Sequence, residues 1–121
     1  MINELILKFT KVYEVHSIPG RLRVKAPGLN LVEKYVNKNI LDQFLERYLL
    51  KGVISVEVSF ISNGILIYYR PDEINKDTII SFLNRLRVRI IELSKSDMES
   101  LDNQMIEKVY NDFRKEGYEF T

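Results

Sequence analysis

Basic side chains and the single histidine of the chain fall at alternate positions around a Pro-Gly pair. His16 precedes the pair, and Arg21, Arg23 and Lys25 follow it. Residues two apart in a strand point to the same face of a sheet, so one face would carry these charges. Imidazole can ligate haem iron or another metal or form a pH-sensitive contact, and basic side chains hold phosphates in RNA binders. Because no second protein ligand accompanies the imidazole, we favour a polar contact residue on the outer face of a strand.

A later strand is predicted to add an aromatic and a basic side chain, Tyr68 and Arg70, to the same face. The predicted ligand-binding or partner-binding residues are His16, Arg21, Arg23, Tyr68 and Arg70. Ferredoxin-like RNA binders stack bases on aromatic side chains of two central strands, whereas only Tyr68 is available here. Glu14 and Glu57 would also dilute the positive charge. An RNA-binding module is therefore the second alternative, and nucleic acid is not the expected partner.

The residue types of common catalytic and metal sites are scarce in the sequence. There is no cysteine and only one histidine, which excludes thiol nucleophiles and His/Cys zinc clusters. The sequence also lacks a His-Glu-x-x-His motif, a Gly-rich phosphate loop and a nucleophile–base pair. We therefore expect a protein that is not an enzyme and that has no metal site and no cofactor. A small-molecule, haem, flavin or metal binder using the sheet face is the first alternative.

Length and composition indicate one globular domain that spans residues 1–121. The chain is 45% hydrophobic and 29% charged, and its net charge of +1 gives no global attraction for nucleic acid or an anionic membrane. Glu4 and Lys8 interrupt the first apolar run, which is unlike a signal peptide. No run approaches the ~20 apolar residues of a membrane span. We expect a cytoplasmic protein without a membrane span.

Two short strands, 12–17 and 21–26, are predicted on either side of the Pro-Gly pair. The turn is centred on either Ile18-Pro19 or Pro19-Gly20. Both choices place Tyr13 and Val15 on the apolar face with Leu22 and Val24, and both leave Glu14 and His16 among the arginines. A bulge would upset this assignment of faces.

The rest of the chain is predicted from apolar spacing and turn residues. The predicted elements are a short helix at 2–10, a helix at 31–50 closed by Gly52, strands at 53–61 and 65–70, and helices at 75–95 and 97–116, the last with a Ser96-Asp97 cap and an end at Gly117. Asn63-Gly64 predicts a type I′ hairpin with Ser62 opposite Ile65 and Glu57 opposite Arg70.

The order of these elements predicts an α+β fold, a ferredoxin-like four-stranded antiparallel sheet with helices on one face and an extra C-terminal helix. The first hairpin strand would replace the usual last strand, which gives the spatial order 12–17, 21–26, 65–70, 53–61. Ile61, Leu66 and Tyr68 would lie on the open face. We expect a cover there, either the third helix or a second copy of the protein.

The sequence HSIPGRLRVKAP at 16–27, followed by GVISVEV and NGILIYYRP, resembles the heavy-metal-associated-like domains. It looks like their cysteine-free variety, found ahead of the membrane part of some metal-transporting P-type ATPases and as stand-alone proteins. The resemblance covers residues 12–93. Metal-binding members carry Cys-x-x-Cys in the loop that corresponds to 26–30, and this chain has no cysteine there.

The resemblance implies a context of metal homeostasis without the usual metal-carrying chemistry. The expected function is therefore that of a non-enzymatic accessory or regulatory protein of metal homeostasis, with iron as one such metal. It would act by protein–protein contacts with a transporter or with itself, as a homo-oligomer. The exposed sheet face and the terminal helices would provide these contacts.

Overall fold

The computed structural model describes residues 11–32, 38–94 and 103–121. Its elements in chain order are β1 (Tyr13–Ile18), β2 (Arg21–Lys25), α1 (Leu29–Val32), α2 (Lys38–Arg47), β3 (Val53–Ser59), β4 (Gly64–Tyr69), α3 (Lys76–Ser94) and α4 (Asn103–Lys115). The predicted helix at 2–10 and the Ser96-Asp97 cap lie outside the described residues. The fold class is α+β.

The four strands form one antiparallel sheet in the order β1-β2-β4-β3, which is the order expected from the connections. Ile18 pairs with Arg21, so Pro19-Gly20 is the two-residue turn of the first hairpin. Gly20 has a φ of 84° there, a backbone conformation that glycine adopts without steric cost. The alternating apolar residues of β2 and β4 put Leu22, Val24 and Ile67 on the buried side of the sheet.

The prediction that Tyr13 and Val15 face the core is wrong. A bulge between Glu14 and His16 shifts the pairing, so that Glu14 lies opposite Val24 while His16 lies opposite Arg23. Tyr13 is 53% exposed and Val15 is 49% exposed. Because one extra residue reverses the alternation, Glu14 leaves the arginine side and only His16 stays there.

The predicted register of the β3–β4 hairpin is also wrong. Ser59 pairs with Gly64, so residues 60–63 form a four-residue loop in place of a type I′ turn. Only Asn63 of the Asn-Gly pair has a positive φ, 55°. β3 ends at Ser59, two residues earlier than predicted, and Phe60 leaves the strand and is buried in the core. The register moves by an even number of residues, so the apolar face is preserved.

The second helix of the chain ends at Arg47, well before the predicted cap residue Gly52. Gly52 has a φ of 98° and belongs to the turn that enters β3, where its carbonyl accepts a hydrogen bond from Arg70 N–H at 2.7 Å. Leu50 instead forms a bridge to Phe120. Residues 49–51 therefore pair with the C-terminal segment in an extended conformation, where a helix end was predicted.

Helices α3 and α4 pack on the buried side of the sheet. Phe82 of α3 and Phe113 of α4 lie with their ring centroids 5.0 Å apart, and Phe113 is only 1% exposed. Asn75 caps α3 by accepting the Thr78 N–H at 2.8 Å, and Gly117, with a φ of 103°, ends α4 as predicted. Helix α4 is thus part of the core and does not cover the open face.

Candidate functional site

The candidate site is the side of the sheet away from α3 and α4, which we call the open face. Its three rows across β1, β2, β4 and β3 are Ile18–Arg21–Tyr68–Ser55, His16–Arg23–Leu66–Glu57 and Tyr13–Lys25–Gly64–Ser59. Among the described residues nothing covers this face, since His16, Arg23, Glu57 and Tyr68 are all exposed. The face is therefore open to a partner at its centre as well as at its rim.

The positive charges of the open face have few counter-charges. Within the described ranges, neither Arg21 nor Arg23 forms an ion pair, although other arginines of the fold do. Lys25 Nζ donates a hydrogen bond to the Ser62 carbonyl oxygen at 2.6 Å. Glu57 is the only carboxylate in the three rows, and Leu66 separates it from Arg23. An anion would find both guanidinium groups available.

The bulge in β1 creates a pocket at one edge of the open face. Val15, His16, Arg21 and Arg23 line this bulge pocket, whose volume is about 250 Å³. A bulge places two residues of one strand opposite one residue of its neighbour, so Val15 and His16 both lie beside Arg23. Almost none of its lining surface is polar, so the carbon atoms of these side chains, rather than their nitrogen atoms, face the pocket. The bulge thus brings three of the five predicted site residues together, with Val15 as a fourth wall.

The other two predicted site residues lie elsewhere. Tyr68 is 37% exposed and is the direct neighbour of Arg21, outside the bulge pocket. Arg70 follows the end of β4 and forms an ion pair with Glu73 at 3.6 Å, and it is not opposite Glu57 as the predicted register required. Tyr68 therefore belongs to the open face, and Arg70 does not belong to the site.

Sequence reasoning missed two apolar residues of the site. Val15 was assigned to the core, and Ile18, which is 49% exposed in the row of Tyr68, was treated only as a turn residue. The Val-His-x-Ile spacing at 15–18 carries no signal for a bulge, because the bulge depends on contacts made elsewhere in the chain. The exposed valine next to the histidine could be found only from the structure.

Both edge strands of the sheet carry a bulge. The register shifts at Val15 in β1 and at Ile54 in β3, and these side chains are 49% and 53% exposed. Bulges at sheet edges hinder the addition of another strand, since they interrupt the row of free backbone groups. The edges are therefore poor docking sites, and the open face is the better one.

The bulge pocket does not fit a metal ion, haem or flavin. Its side chains other than His16 are two arginines and a valine, and a guanidinium does not ligate metal. No group of three or more His, Cys, Asp or Glu residues in the described part of the chain could hold a metal ion. The volume is also below the range of about 300–1,000 Å³ that is usual for drug-sized ligands, and haem and flavin are larger still.

A second cavity of about 390 Å³ lies near the start of α3, between residues 71–78 and the C-terminal segment. Three of its four charged side chains have ion-pair partners: Glu73 pairs with Arg70, and Lys51 pairs with Glu119 at 3.8 Å. This cavity therefore offers less unbalanced charge than the open face.

Among the described residues, no helix is both long enough and apolar enough to cross a bilayer.

Comparison of the chain with models of known protein families, with curated proteins and with solved structures finds no match.

Proposed function

We propose that the protein is a non-enzymatic recognition module that binds an acidic segment of a protein partner through its open face. The observation that carries this proposal is the placement of Arg21 and Arg23. They form no ion pair with any described residue, and they lie beside the exposed ring of Tyr68 and the half-buried Leu66. Interfaces commonly combine arginine and tyrosine in this way.

The charge balance of the open face selects an acidic partner. Three cations, Arg21, Arg23 and Lys25, face a single carboxylate, Glu57, in the rows of the face. Opposite charges on a partner would speed association and fix its orientation more than they would raise affinity. The apolar and aromatic area of Tyr13, Ile18 and Tyr68 would supply the buried contact.

The same balance argues against a second copy of the protein on this face. In a two-fold contact the same patch faces itself, so the cations of one copy would lie against those of the other. Like charges brought together in an interface cost free energy. We therefore propose a different protein as the occupant, and a homo-oligomer would have to use another surface.

The resemblance to heavy-metal-associated-like domains extends the proposal to a biological setting. We propose that the sheet is a variant of the ferredoxin-like plan in which β1 takes the place of the usual last strand. The partner would then belong to metal homeostasis, for example a transporter. The donor set of the bulge pocket supports a role in recognition rather than in carrying metal.

Site-specific photocrosslinking in cells tests the proposal. A benzophenone amino acid in place of Tyr68 should give one adduct of defined mass, and the same group in place of Ser81, an exposed residue of α3, should not. Mass spectrometry then identifies the partner, and its crosslinked segment is purified for a direct binding measurement. The segment should be acidic, and its affinity should fall as salt rises.

Charge reversal supplies the matched control. Arg23→Glu should abolish the adduct and weaken binding of the purified segment by at least about tenfold. Lys108→Glu makes the same change in net charge at an exposed position of α4 and should leave both unchanged. Three results would overturn the proposal. The two variants could weaken the adduct and the binding equally, the adduct could form only with a second copy of the protein, or the protein could retain nucleic acid and no protein partner.

A further inference from the structure

The bulge pocket is an apolar hollow in a face that is otherwise rich in charge. Two of its lining residues are arginines and one is a histidine, yet almost none of the lining surface is polar. Arginine carries a hydrocarbon stem between its backbone and its guanidinium group, and such stems commonly cover apolar surface. The stems of Arg21 and Arg23, the imidazole carbons of His16 and the side chain of Val15 therefore form the walls.

Water gains little in such a hollow. A well-held water molecule needs several polar partners, and the lining of the bulge pocket offers hardly any. Val15 and His16 are both exposed, so the pocket opens to the surface. An apolar group that displaces weakly held water gains affinity. The bulge pocket therefore favours an apolar occupant.

We propose that the bulge pocket receives one aliphatic side chain, such as leucine, from the acidic segment of the protein partner. This inference rests on the proposed function and names the residue type that anchors the partner. A volume of about 250 Å³ is below the usual range of about 300–1,000 Å³ for drug-sized ligands, so the pocket suits a single side chain. An aromatic ring would gain a cation–π contact only over a guanidinium, and the guanidinium nitrogens scarcely contribute to the lining.

The charges around the pocket specify the neighbours of this aliphatic residue in the partner. The walls belong in part to Arg21 and Arg23, Lys25 follows on the same side of β2, and Glu57 is the only carboxylate in the rows of the open face. Carboxylates beside the aliphatic residue can pair with these cations while its side chain fills the pocket. Protein interfaces commonly place an apolar anchor in a pocket within a polar rim. The expected recognition element is thus an aliphatic residue between acidic residues.

Titration of the isotope-labelled protein with three short capped peptides, followed by NMR, tests the pocket. The peptide Asp-Glu-Leu-Glu-Asp should give saturable shifts at Val15, His16 and Arg23. A peptide with alanine in place of leucine should bind about tenfold more weakly, because it buries less apolar surface. A peptide that keeps the leucine but carries the amides Asn and Gln in place of the acids should also bind about tenfold more weakly, because it loses its charge pairs.

Two matched variants separate the pocket from general attraction by the face. Val15→Asn makes one wall polar without a change in charge, and it should remove most of the difference in affinity between the leucine and alanine peptides. Ile54→Asn makes the same kind of change at the bulge of β3, on the opposite edge of the sheet, and should change both affinities less than about twofold. Equal affinities of the two peptides for the unmodified protein, or equal effects of the two variants, would overturn the apolar anchor.

The crosslinked partner segment separates this inference from the proposed function. The segment joined at position 68 should contain an aliphatic residue between acidic residues, and alanine at that residue should weaken binding about tenfold. An acidic segment that binds equally well with alanine at every aliphatic position would leave the recognition function standing and overturn the anchor. Binding of the leucine peptide at Val15 by a protein that gives no adduct in cells would overturn the partner and leave the pocket standing.

Discussion

Glu14 and His16 are two residues apart in β1, yet they lie on opposite faces of the sheet. Glu14 pairs with Val24 on the buried side and forms an ion pair with Lys76 of α3, whereas His16 pairs with Arg23 on the open face. Regular strand geometry would place both on one face. The extra residue between them, Val15, is the cause, and it is also the residue that completes the bulge pocket.

Deletion of Val15 should therefore preserve the fold and remove the pocket. Without the extra residue, Glu14 and His16 become consecutive and keep their partners Val24 and Arg23 in an unbroken alternation. We expect a change in the free energy of unfolding of at most about 1 kcal/mol, with His16 still opposite Arg23. Chemical denaturation measures the first effect, and NMR contacts between the backbones of β1 and β2 check the second.

Val15→Thr is the control for this deletion, because threonine keeps the bulge and a branched side chain of similar size. It should keep both the free energy of unfolding and the pairing of the bulged strand, since the side chain is half exposed. A deletion variant that is strongly destabilised, or in which His16 no longer lies opposite Arg23, would show that β1 cannot pair with β2 without the bulge.

The ion pair of Glu14 predicts a defined dependence of stability on pH. Lys76 Nζ lies 2.8 Å from Glu14 Oε1, and this hydrogen bond lowers the pKa of Glu14 below its ordinary value of 4.5 and raises the pKa of Lys76 above 10.5. The contribution of Glu14 is present above pH 4.5 and is lost as pH falls through the lowered pKa; that of Lys76 is present below pH 10.5 and is lost as pH rises through the raised pKa.

Glu14→Gln should thus lower the melting temperature between pH 4.5 and pH 10.5, where both charges of the pair are present. The decrease should be small because the pair is partly exposed. The difference from the unmodified protein should disappear in strong acid and narrow in strong alkali. Melting curves by circular dichroism across this pH range check the prediction, and a constant difference at every pH would contradict it.

Leu22 and Arg23 should respond in opposite ways to truncation, since they are neighbours on opposite faces of β2. Leu22 has no exposed surface, and Leu22→Ala should reduce the free energy of unfolding by about 2–5 kcal/mol. Arg23 is exposed and has no ion-pair partner among the described residues, so Arg23→Ala should stay within about 0.5 kcal/mol. Urea denaturation of both variants measures this; a large loss in Arg23→Ala would mean that the open face is assigned to the wrong side.

Sequence patterns predicted the parts of the fold that depend on local spacing. Three of these features are found as expected: the alternation of Leu22 and Val24, the helix predicted at 75–95 from apolar spacing, and the glycine at the end of α4. These features need no distant contact, since a strand of period two or a helix stripe is read from neighbouring residues. The strand order was predicted in a different way, from the rules that govern connections between elements.

The two errors that affected the site arose from distant contacts. Asn84 Oδ1 of α3 accepts the Val12 N–H at 2.8 Å, and with the Glu14–Lys76 pair it fixes the start of β1 on the helix side. The strand must then bulge before His16 can face Arg23. No pattern within 12–17 contains this information, so the bulge pocket could not be predicted.

The hairpin register has a similar explanation. Asn63 is hydrogen-bonded to the segment that follows β2. Its carbonyl accepts the Ala26 N–H at 2.8 Å, and its side-chain oxygen accepts the Asn30 N–H at 2.9 Å. Burial of Phe60 adds an apolar contact that a two-residue turn would not allow. These interactions outweigh the local preference of Asn-Gly for a tight turn, and they move Arg70 away from Glu57.

Alanine at two glycines should separate backbone strain from steric conflict. Gly52 and Gly117 have φ values of 98° and 103°, so alanine is strained at both. A Cβ at position 52 would lie 2.9 Å from Ile74 Cγ2, whereas a Cβ at position 117 meets nothing within 4 Å. Gly117→Ala should therefore cost about 1 kcal/mol of unfolding free energy, which is the conformational cost alone.

Gly52→Ala should cost about 3 kcal/mol, since Ile74 packs against the core and must shift to admit the new methyl group. Urea denaturation of both variants provides the comparison. Asparagine tolerates a positive φ better than alanine. Gly117→Asn should therefore be more stable than Gly117→Ala, whereas Gly52→Asn should be no more stable than Gly52→Ala. Equal costs at the two positions would show that the turn before β3 can move away from Ile74 freely, and that its contact with the core is loose.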